Sequence, residues 1–239
     1  MARGLRKSWT DKKTDTMRFR IFFFYFLGVF LFYLLFTSLF LCNRVIENDS
    51  MRPGLRRGDR ILFFSSAFSR LIPLSRPQYR RGELVLVDRL PRARRYFPLE
   101  LFDAALRFFT AERVGVSRRA GYCSVKRVIG FPGDEVSMVN FVVRVKAAST
   151  GHILTEFELW ENNKPVYNIE IPSYPALWDV SLPFSGDMEP VRLGEDEYFV
   201  LADNRFSTGD SRTWGPVPRD QIAGRALFRY WPPARMGRP

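Results

Sequence analysis

Histidine and cysteine, the side chains that most often perform nucleophilic or metal chemistry, are almost absent from this chain. Its 239 residues include one histidine, His152, and two cysteines, Cys42 and Cys123. This set is too small for a disulfide framework or for a zinc site of the usual ligand count. A Ser-His-Asp or Cys-His mechanism would need His152 as its base. We therefore expect no metal and no cofactor, and any reactive serine must find another base.

One serine stands in a short segment with apolar and turn-forming neighbours. Residues 48–55 read Asn-Asp-Ser-Met-Arg-Pro-Gly-Leu, so that Ser50 precedes an apolar residue and a proline. A serine in this setting is often only a turn or cap residue. The alternative is that the Ser50 hydroxyl is a nucleophile, which near neutral pH requires a nearby base.

A lysine at the centre of an apolar strand is the candidate base. Residues 123–134 read as a strand closed by a Pro-Gly-Asp turn, with Lys126 and Arg127 in the middle. Side chains alternate along a strand, so one of these two cations must point inward. Burial disfavours the ammonium form and can lower a lysine pKa by about 3–5 units, into the range of a general base. A lysine that snorkels from an edge strand is the alternative.

Two further segments stand out, one after Lys126 and one between Ser50 and Lys126. Residues 203–215 pack Asp, Asn, Arg, Ser and Thr between two predicted strands, which is typical of a hydrogen-bonded loop that supports an active site. A long, well-capped turn would have a similar composition. Residues 81–88 read as a core strand.

The element that precedes all four segments is an uncharged apolar run. Residues 21–42 carry no charge and include eight of the 23 phenylalanines. As a helix this run would be about 33 Å long, enough to cross a hydrocarbon core of about 30 Å. A buried soluble helix is one alternative. A cleaved signal peptide is the other, but its apolar region normally spans about 7–15 residues before a small-residue cleavage site. The sequence therefore predicts a retained transmembrane anchor.

The charges that flank the run predict its orientation. Residues 1–20 hold seven basic and two acidic side chains, which favours a cytoplasmic N-terminus. We expect three parts: a basic N-terminus at 1–20, an anchor at 21–42 and an exported domain at 43–239. The net charge of +12 suits contact with anionic lipid. A pI near 10.1 also suits nucleic acid, but no nucleic-acid motif is present and no such partner is expected.

The exported part shows period-two alternation in short runs separated by Gly, Pro and Asp, which predicts a mostly β, barrel-like or sandwich-like domain with small helical insertions. The predicted strands cover residues 59–64, 83–88, 124–130, 135–139, 141–145, 152–160, 165–171, 197–201 and 222–230. Insertions are expected at about 65–81 and 92–119. Within the second, residues 98–112 have the spacing of an amphipathic helix, which either packs on the sheet or lies on the bilayer surface.

Taken in order, the four segments resemble the boxes of bacterial type I signal peptidases. The family patterns are Ser-Met-x-Pro-Thr-Leu, Arg-Gly-Asp-x-Val, Lys-Arg-x-x-Gly-x-Pro-Gly-Asp and Gly-Asp-Asn-Arg-x-x-Ser-x-Asp-Ser-Arg-x-x-Gly. The segments around Lys126 and Asp210 are the specific ones. This resemblance implies a membrane-anchored serine endopeptidase that removes signal peptides from exported preproteins, after small residues at positions −1 and −3. It also implies a single-pass protein of the cytoplasmic (inner) membrane, with its catalytic domain on the outer side.

The resemblance assigns roles to individual residues. It makes Ser50 the nucleophile and Lys126 its general base, with the backbone N–H of Ser50 in an oxyanion hole. Asn48 takes the place of a side-chain oxyanion donor that is usually Ser. Thr208 takes the place of the hydroxyl that orients the base, also usually Ser. The remaining support residues are Asp203, Asn204 and Arg205, which shape the loop, and Asp210, Ser211 and Arg212, with an ion pair between Asp210 and Arg212.

The chain departs from the family pattern at three further positions, with Gly54 in place of Thr, Ala202 in place of Gly and Glu83 in place of Asp. None of these touches the Ser-Lys pair. Three other functions compete with the peptidase. A self-cleaving repressor would need a DNA-binding domain, an inactive assembly factor would be expected to lack Ser50 or Lys126, and a lipid-binding module would not need the polar loop.

Overall fold

The computed structural model describes the chain from Trp9 onward with several gaps, as residues 9–66, 79–89, 106, 123–149, 151–158, 169, 186–207 and 209–239. For residues 9–16, 34, 35 and 37–39 it describes the backbone alone. The chain divides into two compact units, with a boundary between Leu39 and Phe40. Every strand of the described residues belongs to the second unit.

Helix α1, Trp9–Phe40, contains most of the uncharged run and begins well before it. The sequence predicts an anchor up to residue 42, but the helix ends at Phe40. Leu41 instead opens a strand and pairs with Phe64, because the backbone there joins a sheet. Among the described residues, no helix combines the length and the apolar character needed to cross a bilayer. The transmembrane anchor stays a prediction.

The strands form two antiparallel sheets. One has seven strands in the order β1-β2-β11-β3-β4-β9-β10, and the other has four in the order β7-β6-β5-β8. The strand bounds are β1 Leu41–Val45, β2 Arg60–Ser65, β3 Leu84–Asp88, β4 Cys123–Gly130, β5 Glu135–Val139, β6 Val142–Lys146, β7 Ile153–Thr155, β8 Met188–Arg192, β9 Glu197–Leu201, β10 Val217–Pro218 and β11 Ile222–Trp231. The described helices after α1 are α2, Ser211–Trp214, and the 3₁₀ turns Arg219–Gln221 and Pro233–Arg235. The predicted mostly β fold is confirmed.

The seven-stranded sheet is covered on both faces where β3 and β4 lie. All five residues of β3 are buried, and its four apolar residues alternate between two apolar clusters. Leu84 and Leu86 pack with Phe63, whereas Val85 and Val87 pack with the opposite cluster. A strand buried on both faces has no solvent side. The neighbouring β4 therefore places its central side chains in the interior whichever way they point.

Seven of the predicted strands are present with ends within one residue of the prediction. The difference at β6 has a clear cause: Asn140 and Phe141 both have positive φ values, of 51° and 64°. Two consecutive residues of this kind make the tight hairpin turn whose twist matches antiparallel strands. Phe141 therefore belongs to the β5–β6 turn and not to the strand predicted at 141–145.

Three strands are missing from the prediction. β1 begins with Leu41 and Cys42, the last residues of the uncharged run, so the sequence pattern does not mark where the helix ends and the strand begins. β8 contains Pro190 and lies at the edge of its sheet, where a proline is tolerated because its missing N–H faces no partner. β10 has only two residues.

The predictions for the insertions fall mostly outside the described residues. This applies to the predicted helix at 98–112, of which only Leu106 is described, and to most of the region 65–81. The strand predicted at 152–160 is shorter and ends at Thr155. Of the strand predicted at 165–171, only Ile169 is described, and it forms an isolated bridge with Pro53.

Candidate active site

Ser50 lies in the turn that follows β1, and its apolar neighbours hold that turn against the core. Met51 and Leu55 are each 1% exposed, and the Leu55 N–H donates to the Met51 carbonyl at 2.8 Å. Ser50 itself is 8% exposed. The apolar positions of segment 48–55 therefore anchor the turn while the serine stays close to its surface.

The carboxamide of Asn48 binds the Ser50 hydroxyl. Ser50 Oγ donates to Asn48 Oδ1 at 2.8 Å, and the Ser50 backbone N–H donates to the same oxygen at 3.3 Å. The resemblance makes Asn48 a donor, but in this structure it accepts twice. Within the described residues, the Ser50 hydroxyl donates to Asn48 and not to Lys126. If Ser50 gives its proton to Lys126, its hydroxyl must first leave Asn48.

Lys126 lies at the centre of β4, opposite Val85 of β3, and is 2% exposed. Burial lowers the pKa of its ammonium group from 10.5 to about 8. Asp210 favours the charged form, Arg212 opposes it and Asp203 favours it, but the cost of burial exceeds these charge effects. Near pH 8, a large fraction of molecules therefore holds a neutral amine that can accept a proton.

The indole ring of Trp214 contributes to these surroundings. Lys126 Nζ lies 5.8 Å from the ring centroid, and the Arg89 guanidinium carbon lies 4.3 Å from it. An aromatic side chain beside an amine takes up volume that water would otherwise fill. The end of α2 is thus part of the environment of the candidate base.

Arg127 is also buried, at 5% exposure, although the sequence predicts only one inward cation. The covered faces of the sheet explain this difference. Arg127 Nε and Nη2 donate to the Asp203 carboxylate at 2.7 and 2.5 Å, and Nη1 donates to the Gly82 carbonyl at 2.8 Å. A Cβ atom at Gly54 would lie 3.2 Å from Asp203 Oδ2. The glycine that replaces the family threonine therefore rests directly against this ion pair.

Asn204 connects the polar loop to the Ser50 turn. Its backbone N–H donates to the Ser50 carbonyl at 3.0 Å, and its Nδ2 donates to the Asp49 carbonyl at 3.3 Å. Its Oδ1 accepts from the Phe206 N–H at 3.0 Å. The loop and the Ser50 turn therefore hold each other in register.

Asp210 and Arg212 form an ion pair next to this loop. Arg212 Nε and Nη2 donate to Asp210 at 2.9 and 2.8 Å. Asp210 also caps the N-terminus of α2 and accepts from the Ala202 N–H at 3.0 Å. Arg212 further donates to the carbonyl oxygens of Arg205, at 3.0 Å, and Ser207.

Thr208, the predicted base-orienting residue, lies outside the described residues, and its role stays a prediction.

The buried hydroxyl of Ser211 serves the sheet. Ser211 is 2% exposed, and its Oγ accepts from the Val200 N–H of β9 at 3.0 Å. It satisfies a backbone donor of β9 beyond the two residues that pair with β10, while Asp210 does the same for Ala202, which directly follows β9.

A sequence model of one peptidase family, described as signal peptidase, peptidase S26, matches residues 18–231 of this chain. The chain belongs to this family. The family predicted from the four boxes is therefore confirmed, and the matched region contains every candidate site residue.

Relatives from bacteria and from a plant are similar to this member of the family. A probable signal peptidase I-2 of Synechocystis sp. is 29% identical over 81% of this chain and 65% of its own length. A signal peptidase I of Bacillus caldolyticus is 32% identical over 80% of this chain and 79% of its own. The chain thus spans somewhat less than two thirds of the Synechocystis relative. The chloroplastic thylakoidal processing peptidase 1 of Arabidopsis thaliana is 48% identical over 54 residues, which are 23% of this chain and 16% of its own.

A solved structure is also similar in part. The crystal structure of a signal peptidase I from Enterococcus faecalis is 18% identical, covers 64% of this chain and all of its own, and has a TM-score of 0.34.

One buried residue of this family member was not predicted from the sequence. Glu156 is 0% exposed and forms an ion pair with Arg205. The two are 49 positions apart, so no local spacing links them, and nothing in the sequence separates Glu156 from the exposed Glu158 two residues later. His152, by contrast, is exposed.

Proposed function

We propose that this chain is a membrane-anchored serine endopeptidase that removes N-terminal signal peptides from exported preproteins with a Ser50-Lys126 dyad. The observation that carries the proposal is the buried Lys126, whose pKa is lowered to about 8. A lysine of this kind is an adequate general base near neutral pH. The Ser50 turn is hydrogen-bonded to the loop whose Asp203 and Asp210 charges act on that amine.

The proposed reaction begins with the neutral amine of Lys126. The amine takes the Ser50 proton while Oγ attacks the carbonyl carbon of the scissile peptide bond. The resulting ammonium then gives its proton to the leaving amine as the C–N bond breaks, which leaves an acyl group on Ser50. A water molecule, deprotonated by the same lysine, then attacks the acyl carbon. As the bond between this carbon and Oγ breaks, the ammonium returns the proton to Ser50 Oγ, and the signal peptide leaves with a new carboxylate.

Donors for the tetrahedral oxyanion come from the Ser50 turn. The Ser50 N–H points at Asn48 Oδ1 in the free protein, so substrate binding must exchange this partner for the substrate oxygen. Rotation of the Asn48 carboxamide would release both Ser50 groups together and present Nδ2 as a second donor. Loss of one such donor commonly costs about 3–4 kcal/mol in activation free energy.

The substrate is an exported preprotein with an extended segment before the cleavage site. Main-chain pairing with a strand edge would bind this segment in a sequence-tolerant way, and shallow pockets would admit only small side chains at −1 and −3. This specificity is taken from the resemblance to the family.

We assign the anchor to α1 and the catalytic domain to the outer side of the cytoplasmic membrane. The uncharged run at 21–42 and its basic flank support this assignment. The apolar side chains of the helix also face outward from it, and Phe22, Tyr25 and Phe32 are 67%, 72% and 68% exposed. An anchor confines the nucleophile to the layer in which signal peptides lie.

The proposal is tested by incubating the detergent-solubilised protein with a preprotein that contains an Ala-x-Ala site and measuring the mass of the product. We expect one cut after the second alanine. Ser50→Ala and Lys126→Ala should each abolish the cut, since members of a catalytic unit can contribute a rate factor of about a million. His152→Ala is the control and should process normally. More than a tenth of wild-type activity in either dyad variant would contradict the dyad.

A further inference from the structure

A buried ion pair joins the four-stranded sheet to the loop beside Ser50. Glu156 directly follows β7, and Arg205 lies in the polar loop that follows β9. Both side chains are 0% exposed, and Arg205 Nη2 lies 2.5 Å from Glu156 Oε2. Removing two charges from water is costly, so such a pair is weak evidence for stability by itself. Its position between two elements suggests another purpose.

The four-stranded sheet and its β5–β6 turn supply hydrogen-bond partners to both members of this pair. Glu156 Oε1 accepts from the Val143 N–H of β6 at 3.0 Å, while Oε2 binds Arg205 Nη2. Arg205 Nη1 donates to the carbonyl of Phe141 at 3.2 Å. Phe141 holds a positive φ in the β5–β6 turn, which is uncommon for a bulky residue. The guanidinium therefore receives acceptors from two separate parts of the second sheet.

The backbone around Arg205 carries the contacts that matter at the nucleophile. The preceding residue, Asn204, donates its N–H to the Ser50 carbonyl at 3.0 Å. The Arg205 carbonyl accepts from Arg212 Nη1 at 3.0 Å. A shift of the Arg205 side chain would thus move the backbone that sets the position of Ser50.

We propose that Glu156 is a positioning residue for the Ser50 nucleophile, acting through Arg205 and the backbone of Asn204. This inference rests on the proposed peptidase function. It extends the active site to a residue that directly follows β7 of the four-stranded sheet and lies outside all four sequence boxes. Glu156 touches neither substrate nor Ser50, and its effect is on the geometry of attack.

The alternative is that Glu156 and Arg205 form a purely structural ion pair. Substitutions can distinguish this role from a positioning role. A structural ion pair can be replaced by apolar residues of similar volume with little loss of stability or function. A positioning pair cannot, because an apolar pair does not fix the loop by directed hydrogen bonds. Misplacement of a reacting group by about 1 Å can cost about a hundredfold in rate.

The experiment measures kcat and KM for a signal-peptide substrate and the thermal midpoint Tm of each variant. All activity assays are run at a temperature well below the lowest Tm. Glu156→Gln keeps the shape of the side chain but has only one acceptor oxygen. In the wild type the Val143 N–H and Arg205 Nη2 each bind a separate carboxylate oxygen. We expect kcat to fall by about tenfold to a hundredfold, with KM within about twofold. The double variant Glu156→Leu with Arg205→Met should recover Tm relative to Glu156→Gln and keep the low kcat.

A second buried acid provides the matched control. Asp134 is 2% exposed and pairs with Arg81 at 2.7 Å, but its other partners are the N–H groups of Phe131 and Ala148 and not the loop. Asp134→Asn should lower Tm, and at an equal loss of Tm its kcat should fall less than the kcat of Glu156→Gln.

The inference is overturned if the apolar double variant has wild-type kcat, or if kcat in Glu156→Gln and Asp134→Asn falls in parallel with Tm. Wild-type protein that fails to process the preprotein would instead overturn the proposed function. Normal processing by the wild type, with loss only in the Glu156 variants, supports both.

Discussion

Lys126 and Arg127 are neighbouring cations on one strand, and burial affects them differently. Arginine does not lose its proton in proteins, so a buried guanidinium needs a carboxylate partner, and Arg127 has Asp203 at 2.5 Å. Lysine can become neutral, and for Lys126 burial exceeds the effect of the nearby acids. The same interior thus yields a structural ion pair on one side of β4 and a candidate base on the other.

The pH profile should report the Lys126 amine. Because burial lowers its pKa to about 8, the neutral form needed for catalysis grows as pH rises through 8. We therefore expect kcat/KM to increase through an apparent pKa near 8 and to level off above it, as measured with a peptide substrate from pH 5 to pH 10. A rising limb that disappears in His152→Ala would contradict this assignment.

The same shift predicts a change in stability. The folded-state pKa lies below the unfolded value, so this group costs stability below pH 8 and the cost fades as pH rises from 8 to 10.5. With each pKa unit equivalent to about 1.4 kcal/mol, the cost is on the order of 3 kcal/mol. Lys126→Met should therefore raise the free energy of unfolding at pH 7, while abolishing processing. Denaturant titration at pH 7 and pH 10 checks this, and an equal gain at both values would contradict the linkage.

Thr208 is predicted to orient the Lys126 amine with its hydroxyl. Thr208→Ser keeps the hydroxyl and should be nearly neutral, whereas Thr208→Val keeps the size and branching but loses the hydrogen bond. Such a neutral bond contributes only about 1 kcal/mol to stability, so the loss should appear in kcat and in the pH profile. Equal activity in the two variants would show that the orienting role belongs to Ser207 or Ser211.

At the scale of elements, side chains of α2 complete the hydrogen bonding of β9. Ser211 Oγ accepts from the Val200 N–H of β9, and the N-cap residue Asp210 accepts from the N–H of Ala202, which directly follows β9. These bonds replace the carbonyls that a neighbouring strand would supply. The helix that carries Trp214 toward Lys126 is thereby fixed to the strand that pairs with β4.

Removal of one of these acceptors should be costly for stability. Ser211→Ala leaves the buried Val200 N–H without this acceptor, which should lower the free energy of unfolding by about 1–3 kcal/mol. The matched control is Ser149→Ala, since Ser149 is exposed and surface substitutions usually stay within about 0.5 kcal/mol. Urea titration of both variants gives the comparison, and equal stabilities would mean that the Val200 bond does not stabilise α2 against β9.

At the scale of the whole molecule, the chain consists of one unit that contains α1 and one that contains the sheets. The boundary at Phe40 falls where the uncharged run passes into β1. We expect the first unit to anchor the second, with the N-terminus in the cytoplasm. In sealed, right-side-out vesicles, a tag at residue 2 should resist added protease while the part after Asn43 is digested. The opposite pattern would contradict the orientation inferred from charge.

The sequence alone was sufficient for the mostly β fold and the family, and it also predicts the pair Ser50 and Lys126, whose roles stay predictions. Each of these depends on patterns within short windows, such as period-two alternation or a lysine inside an apolar strand. Alternation reports which face of a strand a side chain occupies. It does not report whether both faces are covered, and for that reason the burial of Arg127 beside Lys126 was not predicted.

Only the tertiary structure decided which groups are partners. Asn48 is one example, since its type permits donation or acceptance and the shape of the turn selects acceptance from Ser50. Glu156 is another, because its partner Arg205 lies 49 positions away and meets it only when the four-stranded sheet lies beside the loop. A buried charge is satisfied by whatever distant elements pack around it. Packing is a property of the whole fold, whereas residue type and spacing are local.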